Sequence, residues 1–326
     1  DRVNKRNVMV ILDFFTAALI LAFGLLMDGV NLVALLTVTL MILFGIAGAY
    51  QPSVQAAIPA LVGQEQIMAA NSVVNTISSL AALLGPVLGG ILYSAYGLKP
   101  VLWVCVACFV LSAVMEIFIH IPFQKQLSEG GVWQTVKLDF AQSVRFVRKD
   151  RPVIGKAVLS VCGINLFLSS MITVALPYLV TEVLALDAAQ ANRLYGYAEG
   201  ILAAGGLAGG ICAGLLAKRL SVQKAGRLIV ISAGCMFPVS VSLAVFSSSM
   251  VNYVILTASC FAVMTCCTIF TVQMMTFFQT VTPPHLLGKV IAVIMTMSMC
   301  AQPVGNAMYG VLFEVSKGFE YVVVLF

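Results

Sequence analysis

The sequence predicts an all-α integral membrane protein built from two bundles of helices. Three observations support this fold class. Apolar residues make up 61% of the 326 residues and charged residues only 10%, whereas a soluble domain has about 25% charged residues. Apolar stretches long enough to cross a bilayer recur along the whole sequence. The positively charged residues between those stretches fall almost entirely on one side of the predicted membrane.

Nine stretches have the roughly 20 mostly apolar residues that a helix needs to cross a bilayer. A tenth begins at residues 319–326, FEYVVVLF, and is incomplete. Each stretch is predicted to be helical, because a single strand cannot satisfy its backbone hydrogen bonds in lipid. The nine full spans are residues 8–27, 32–50, 73–94, 101–121, 157–180, 195–216, 228–247, 252–271 and 290–312.

The lysines and arginines indicate which side of the membrane each loop faces. When the first residues are placed in the cytoplasm, the outer loops hold only Lys99, Arg193 and Lys317 of the 18 basic residues. This asymmetry follows the positive-inside rule. The asymmetry also supports the number of spans, because one missed or invented span would place all later basic loops on the opposite side of the membrane.

Residues 122–156 form the longest polar stretch and are predicted to be a cytoplasmic linker. Within it, apolar residues recur at helical spacing while basic residues occupy the other face, which indicates an amphipathic helix at the membrane surface. We expect it to connect two bundles, with a lipid-sensing or regulatory role as the alternative. The apolar positions are Trp133, Val136, Phe140, Val144 and Val147, and the basic ones are Lys137, Arg145 and Arg148.

An internal repeat with an offset of 217 residues relates the two halves. Residues 1–2 align with residues 218–219, each opening a basic loop, and Pro86 aligns with Pro303, each in a span with small neighbours. Parallel repeats of this kind are common in transporters. The second copy has two spans ahead of its basic loop and the first has none. We therefore expect about 60 further residues, forming two helices, ahead of residue 1.

The repeat gives three predicted regions. Residues 1–121 are the remainder of the first bundle and correspond to the third to sixth helices of a twelve-helix protein. Residues 122–156 are the linker. Residues 157–326 are the second bundle, from the seventh to the twelfth helix, with the last one incomplete.

At these residues the sequence resembles the major facilitator superfamily of transporters. A loop motif of that family, G-x-x-x-D-R-x-x-R-R, is similar at its end to DRVNKR at residues 1–6. The second copy is GLLAKRLSVQKAGR at residues 214–227, with lysine at the acidic position. The resemblance implies a gating motif. Its residues here are Asp1, Arg2, Lys5, Arg6, Gly214 and Arg219.

A second family motif, ending G-P-x-x-G-G, is associated with antiporters and exporters and is similar to GPVLGG at residues 85–90. Because proline in mid-helix frees a carbonyl, we expect a bend or a close contact with the opposite bundle there. The tract at residues 51–71 resembles the macrolide-efflux and enterobactin-exporter branch. The motif residues are Gly85, Pro86, Gly89 and Gly90.

Ionisable residues inside spans are costly in lipid and are therefore candidates for function. For Asp13 in the first span we expect an ion pair with the adjacent basic loop, with proton coupling as the alternative. Glu116 and His120 are four residues apart and are expected to pair on one helical face, or else to relay protons. Glu199 is expected at the outer interface, with cavity lining or cation recognition as the alternative.

Polar and adaptable apolar side chains inside spans indicate where a substrate could pass. Most are expected to serve packing. The candidates are Asn165, Ser169 and Thr173 in the fifth span and Gln273 and Phe277 in the eighth. Glycines of the sixth span recur at small-xxx-small spacing and predict close helix packing, compatible with a sliding interface. They are Gly205, Gly206, Gly209, Gly210 and Gly214.

The sequence shows no P-loop, metal-ligand spacing or hydrolytic group, so we expect no enzyme activity, cofactor or nucleic acid. It predicts a secondary multidrug-type antiporter in a bacterial cell membrane. The protein is expected to act as a monomer and to export an amphiphilic drug, macrolide or siderophore-like molecule by proton-driven alternating access. One alternative is a nutrient uptake or facilitated-diffusion carrier. The other is a truncated membrane protein that does not transport.

Overall fold

The structure, a computed structural model, describes residues 4–121, 141–147, 151–184, 187–220, 225–246, 248–284 and 286–325. Within these ranges every regular element is helical, and nine helices are long and apolar enough to cross a membrane. The prediction of an all-α membrane protein with nine full spans is confirmed. Asp1, Arg2 and most of the predicted amphipathic linker lie outside the described residues.

Four membrane helices come first: α1 (Lys5–Leu26), α2 (Leu32–Leu61), α3 (Ile67–Tyr96) and α4 (Leu98–Ile117). Asparagines begin the first two, because their side-chain oxygens accept from free backbone N–H groups of the first turn. Asn4 accepts from the N–H of Arg6, and Asn31 accepts from the N–H groups of Val33 and Ala34. Between α3 and α4 the chain turns at Gly97, whose φ of 77° favours glycine.

Five further membrane helices follow: α5 (Pro152–Val183), α6 (Ala188–Leu215), α7 (Ala225–Val245), α8 (Ser249–Val281) and α9 (Leu287–Val315). A short α10 (Glu320–Leu325) begins the predicted tenth span. Helix α5 starts with Pro152, which suits the first turn because that N–H would lack a helical partner. It contains two π-helical segments, Ile164–Ser169 and Leu179–Val183.

Two helices extend furthest beyond their predicted C-terminal ends. The apolar pattern places the ends of the second and eighth spans at residues 50 and 271, whereas α2 continues to Leu61 and α8 to Val281. The added turns contain Gln55, Gln273 and Gln279, which are all buried. Polar side chains do not end a helix when other helices cover them, so hydropathy alone places these ends too early.

Contacts divide the chain into two compact units. Unit 1 consists of Asp1–Gln64, Leu84–Arg145 and Gln279–Val293, and unit 2 of Glu65–Leu83, Phe146–Phe278 and Ile294–Phe326. In unit 1, α1 packs against α2 and α4. In unit 2, the side chains of Leu179 and Val263 are fully buried in a core where the rings of Tyr178 and Phe313 meet at a tilt, with centroids 5.1 Å apart.

Large apolar side chains are exposed on most of the helices. Phe44, Phe118 and Val315 are each more than three-quarters exposed, at 76%, 81% and 79%. Exposure of so many large apolar side chains is unfavourable in water and marks contact with a membrane or a partner. On helices of membrane-spanning length, it is the surface that acyl chains cover.

A proline in α2 creates a requirement that a residue distant in sequence satisfies. Pro59 has no N–H, so the carbonyl of Gln55, four residues earlier, loses its helical donor. In unit 1, the Gln279 side-chain nitrogen donates to this carbonyl at 2.7 Å and lies 3.2 Å from the Gln55 side-chain oxygen. Both glutamines are buried, so Gln279 supplies the hydrogen-bond donor that a water molecule would otherwise have to supply.

Replacing Gln279 by leucine is expected to destabilise the protein by about 1–3 kcal/mol, because a buried carbonyl loses its donor. Combining it with Pro59→Ala should recover part of the loss, since residue 59 then supplies the missing helical N–H. Thermal unfolding of the detergent-solubilised protein measures all three variants. If the two substitutions simply added, the freed carbonyl would not be the reason for the Gln279 bond.

Candidate functional site

Helices α1, α2 and α4 of unit 1 surround a cavity of about 550 Å³, which we call the acidic cavity. Its volume lies within the range of small-molecule sites, about 300–1,000 Å³. Residues one helical turn apart point into it from each helix, which explains why three helices suffice to build it. The lining is apolar at Leu43, Ile46, Ala47, Cys108 and Phe109 and polar at Asp13, Thr16, Tyr50, Gln51 and Ser112.

Two buried carboxyl groups define the chemistry of this region. Asp13 lines the acidic cavity, Glu116 lies one helical turn beyond Ser112, and each is only 5% exposed. The Tyr50 hydroxyl donates to Glu116 Oε1 at 2.7 Å, and the Ser112 hydroxyl hydrogen-bonds the Asp13 carboxyl. Tyr50 thus links α2 to α4, while Ser112 links α4 to α1.

Each carboxyl group keeps one oxygen without a partner. Asp13 Oδ2 and Glu116 Oε2 are buried and have no hydrogen bond among the described residues. The Asp13 carboxyl also acts electrostatically on Glu116. Burying carboxylates with unsatisfied oxygens is costly, so a proton or a cation would stabilise this arrangement.

Arg6 occupies a position different from the one expected for an ion pair with Asp13. Its guanidinium donates to the side chain of Asn7 at 3.3 Å and to the carbonyl of Ile117, the last residue of α4, at 3.5 Å. A cation at a helix C-terminus is favourable because the helix dipole is negative there. Arg6 therefore connects the first turn of α1 to the end of α4, and the Asp13 carboxyl bonds to Ser112.

The expected pairing of Glu116 with His120 is wrong. Helix α4 ends at Ile117, so His120 lies beyond the helix, is exposed, and does not share a helical face with Glu116. Sequence reasoning also missed Tyr50, which is the actual partner of Glu116. The sequence does contain a signal for Tyr50. Tyr50 and Gln51 are polar residues within an apolar stretch, and the helix continues past them through Pro52.

The polar candidates of α5 lie in unit 2 and bond mainly to their own helix. The Asn165 amide donates to the Val161 carbonyl at 3.0 Å, and the Thr173 hydroxyl donates to the Ser169 carbonyl at 2.8 Å. The side-chain nitrogen of Gln302, on α9, also lies 3.5 Å from the Thr173 hydroxyl. These bonds satisfy the side chains within the helices.

The remaining candidates are dispersed. Gln273 is 1% exposed and its Oε1 has no partner in the described part of unit 2. Phe277 packs against Phe278, with ring centroids 5.9 Å apart. Glu199 is exposed and accepts a hydrogen bond from Tyr195, one turn earlier on α6. Of the predicted ionisable candidates, the structure brings only Asp13 and Glu116 together.

Unit 2 contains a separate cavity of about 370 Å³ beside the first π segment of α5. Its lining is mostly apolar and includes Phe167, Met171, Met236 and Tyr309. π-Helical segments are frequent at functional sites because they turn side chains out of the regular helical register. None of the described residues that line this cavity carries a carboxyl group, so the cavity suits an apolar group.

The glycines of α6 form two packing faces in unit 2. A Cβ at Gly209 would lie 2.6 Å from the Thr265 carbonyl oxygen of α8, and one at Gly210 would lie 2.5 Å from the Thr76 hydroxyl of α3. Gly205 continues the first face and Gly214 the second. The prediction of close helix packing through these glycines is confirmed. Gly214, from the predicted gating motif, approaches Ser72, whose hydroxyl donates to the Gly210 carbonyl.

The bend or contact with the opposite bundle expected at GPVLGG stays a prediction. Helix α3 continues as one helix through Pro86, and a Cβ at Gly85, Gly89 or Gly90 would meet nothing within 4 Å in the described part of unit 1. Within unit 2, α3 makes its close approach to α6 at Ser72, Thr76 and Ser79, earlier on the helix. Small residues permit close packing, but the sequence does not show which of them have a partner.

Nine long apolar helices in the described part of the chain, together with a cavity of small-molecule size, are typical of a multi-pass membrane carrier. The chain belongs to the major facilitator superfamily, because the family profile matches residues 1–306. Members of this superfamily, and the solved structures that resemble this chain, are transporters rather than enzymes. They lie in the lipid bilayer and bind small-molecule substrates.

Solved structures support the fold at low sequence identity. A bacterial homologue of the iron transporter ferroportin, in an outward-facing state, is 18% identical with a TM-score of 0.75, covering 100% of this chain and 80% of that chain. The transporter FucP in its outward conformation is 14% identical with a TM-score of 0.72, covering 99% and 80%. Another structure of FucP describes it as the fucose:proton symporter of E. coli.

A curated relative matches part of the chain. The putative transporter YoaB of Bacillus subtilis (strain 168) is 34% identical over 85 residues. The match spans 26% of this chain and 20% of that relative's length.

Proposed function

We propose that the protein is a proton-driven secondary transporter that exports an amphiphilic small molecule from a bacterial cell by alternating access. The observation behind this proposal is the pair of buried carboxyl groups at the acidic cavity, each with one oxygen lacking a partner in the described chain. A group that gains and loses a proton next to a cavity of substrate size can couple proton transfer to substrate binding and release.

The side chains around the carboxyl groups support a proton role. Tyr50 and Ser112 carry hydroxyl groups. A hydroxyl group donates a hydrogen bond to an ionised carboxyl and accepts one from a protonated carboxyl. Because a hydroxyl adapts to both forms, neither partner fixes the carboxyl in one protonation state. Burial of Asp13 and Glu116 keeps bulk water from competing for the proton.

Two further parts of the proposal come from the sequence. Residues 1–121 and 157–326 would form two bundles that rock about a midplane site, with residues 122–156 as their connection. The gating motif would include Lys5, Arg6, Gly214 and Arg219. The contact of Arg6 with the end of α4, and of Gly214 with Ser72, supports a role in holding helix ends together.

Export is supported by the GPVLGG resemblance and by the largely apolar lining of the acidic cavity. A sugar carrier would require more hydrogen-bonding groups than this cavity presents, because each sugar hydroxyl needs a partner. Thr16, one of the polar lining residues, already donates to the Leu12 carbonyl at 2.8 Å. The transport experiment below also tests the alternative of nutrient uptake, because it measures the direction in which the substrate moves relative to the protons.

The complete protein in proteoliposomes, with an acidic interior, should accumulate a fluorescent amphiphile, and a protonophore should stop accumulation. Asp13→Asn and Glu116→Gln should each lower the gradient-driven rate at least about tenfold, because neither amide can exchange a proton. Asp28→Asn is the control, since this carboxyl lies in the same unit but is 65% exposed. Transport continuing at an unchanged rate after the gradient collapses would contradict proton coupling.

A further inference from the structure

We propose that a groove between the end of α1 and the beginning of α4 binds a zwitterionic phospholipid whose headgroup carries a primary ammonium, as phosphatidylethanolamine does. The groove lies in unit 1 and has a volume of about 220 Å³. We call it the outer groove, because the basic loops predict that these helix ends face outward. Its lining includes the apolar residues Ile20, Leu21, Leu102 and Val106 and the charged residues Asp28 and Lys99.

The outer groove is charged at one end and apolar along the rest of its length. On α4 the lining runs from Lys99 to Val106, which is about 10 Å along the helix axis. This length fits within one leaflet, since the whole hydrocarbon core is about 30 Å thick. The volume is below the range of about 300–1,000 Å³ typical of drug-sized ligands. The groove therefore suits the upper part of a lipid chain attached to a polar headgroup.

The charged end of the outer groove is an ion pair that is open to further partners. The Lys99 ammonium nitrogen lies 2.5 Å from Asp28 Oδ2, and the two side chains are 55% and 65% exposed. An ammonium has three N–H donors and a carboxylate has two oxygens, so this bond uses one donor and one oxygen. The remaining donors and oxygen can bind a ligand without separating the pair.

The sign of the charges selects the headgroup. The ion pair has no net charge but has a positive and a negative end, so it attracts a group whose charges are arranged in the opposite order. A lipid phosphate accepts hydrogen bonds from Lys99 while a primary ammonium on the same headgroup donates to Asp28. An anionic lipid would place a second negative charge near Asp28. A choline headgroup has no N–H and cannot donate to Asp28.

Trp103 supports the placement of this ion pair at headgroup level. Trp103 follows Lys99 by one helical turn, lines the outer groove and is 56% exposed. Tryptophan is enriched at membrane interfaces, where its ring lies at the level of the headgroups. The neighbouring Lys99 and Asp28 are then at the depth of the lipid phosphate, and the apolar part of the groove is at the depth of the acyl chain.

Native mass spectrometry of the complete protein in detergent micelles tests the inference with an equimolar mixture of three lipids. These are phosphatidylethanolamine, phosphatidylglycerol and phosphatidylcholine with the same acyl chains, which differ in mass. Phosphatidylethanolamine should exceed each of the others at least about threefold in the first bound lipid, because only its headgroup satisfies both charges. Equal binding of phosphatidylethanolamine and phosphatidylcholine would overturn the inference.

A chain-free headgroup separates a lipid from a soluble ligand. Glycerophosphoethanolamine carries the same charges without acyl chains, so at an equal concentration it should not displace the bound lipid. Displacement would show that the headgroup alone binds and that the membrane is not the source of the ligand, which contradicts the proposal.

Two variants should shift the lipid preference in different directions. Asp28→Asn leaves Lys99 with an unbalanced positive charge, so phosphatidylglycerol should become the preferred lipid. Lys99→Gln leaves an unbalanced carboxylate, so binding of all three lipids should fall at least about threefold, and that of phosphatidylglycerol most. Both side chains are exposed and exposed ion pairs stabilise proteins little, so both variants should fold.

Glu314→Gln is the matched control. It removes the carboxyl group of the exposed ion pair between Lys317 and Glu314, which does not line the outer groove. This variant should keep the preference for phosphatidylethanolamine. The same preference in Asp28→Asn, or its loss in Glu314→Gln, would mean that the ion pair of the outer groove does not select the lipid. Lipid binding is measured directly, so this outcome does not depend on the transport experiment.

Discussion

Replacing Gly305 by alanine is expected to destabilise the folded protein by about 3 kcal/mol or more. Gly305 lies where α9 crosses the first π segment of α5, and a Cβ there would overlap the carbonyl oxygen of Leu166 and the side chain of Ser170. The Leu166 oxygen belongs to the backbone and cannot rotate away. Overpacking of a fixed contact costs about 1–3 kcal/mol and occasionally more, and this overlap places the variant at the upper end.

The same crossing depends on Ser170. Its hydroxyl lies 2.7 Å from the Asn165 carbonyl of the π segment and 2.9 Å from the Gln302 carbonyl of α9. Moving α9 outward to make room for a methyl group would break the contact with Gln302. The loss of packing and the loss of this hydrogen bond therefore reinforce each other in Gly305→Ala.

Gly310→Ala is the matched control, because it lies on the same helix and its Cβ would meet nothing within 4 Å in the described chain. Alanine is the better helix former by about 1 kcal/mol, so this variant should be as stable as the parent or slightly more so. Fluorescence-detected size exclusion with a heating series measures the folded fraction of each variant. Matching profiles for the two variants would show that the crossing tolerates a side chain.

The fold could be predicted from the sequence because the bilayer leaves few choices. A long apolar stretch in lipid must be helical, and the basic loops then fix the number of crossings. The ends of α2 and α8 could not be predicted in the same way. Gln55 and Gln279 look like the start of a loop in a hydropathy profile, whereas their mutual hydrogen bond keeps both inside helices.

The candidate site could be predicted only in part. Asp13 and Glu116 are conspicuous as carboxyl groups inside apolar spans, but their meeting depends on α1 packing against α4. Sequence spacing favoured His120 as the partner of Glu116, because it assumed a helix that in fact ends at Ile117. Tyr50 was missed because the predicted second span ended at residue 50, so its hydroxyl was placed at the edge of the span although the helix continues to Leu61.

Two expectations from the repeat stay predictions. These are the pair of helices ahead of residue 1 and the boundaries of the bundles at residues 121 and 157. Both depend on comparing the halves of the sequence rather than on contacts within either unit. The contacts show a different kind of grouping, in which the first half of α3 packs in unit 2 and its second half belongs to unit 1.

Alanine substitutions along α6 are expected to separate helix propensity from helix packing. At Gly200 a Cβ would meet nothing within 4 Å among the described residues, so Gly200→Ala should gain up to about 1 kcal/mol from helix propensity. At Gly206 the nearest atom is the Ser79 hydroxyl at 3.0 Å, which can rotate away. Gly206→Ala should therefore change stability little.

Gly209→Ala should be the most destabilising variant of this series. Its Cβ would lie 2.6 Å from the Thr265 carbonyl oxygen and 2.7 Å from the Thr268 Cβ, and neither atom can turn aside. The expected cost of about 1–3 kcal/mol or more exceeds the gain of about 1 kcal/mol from propensity. Melting temperatures should fall in the order Gly200→Ala, Gly206→Ala, Gly209→Ala. Equal melting temperatures for the first and last would mean that α6 does not approach α8 through this face, and the packing role of its glycines would be lost.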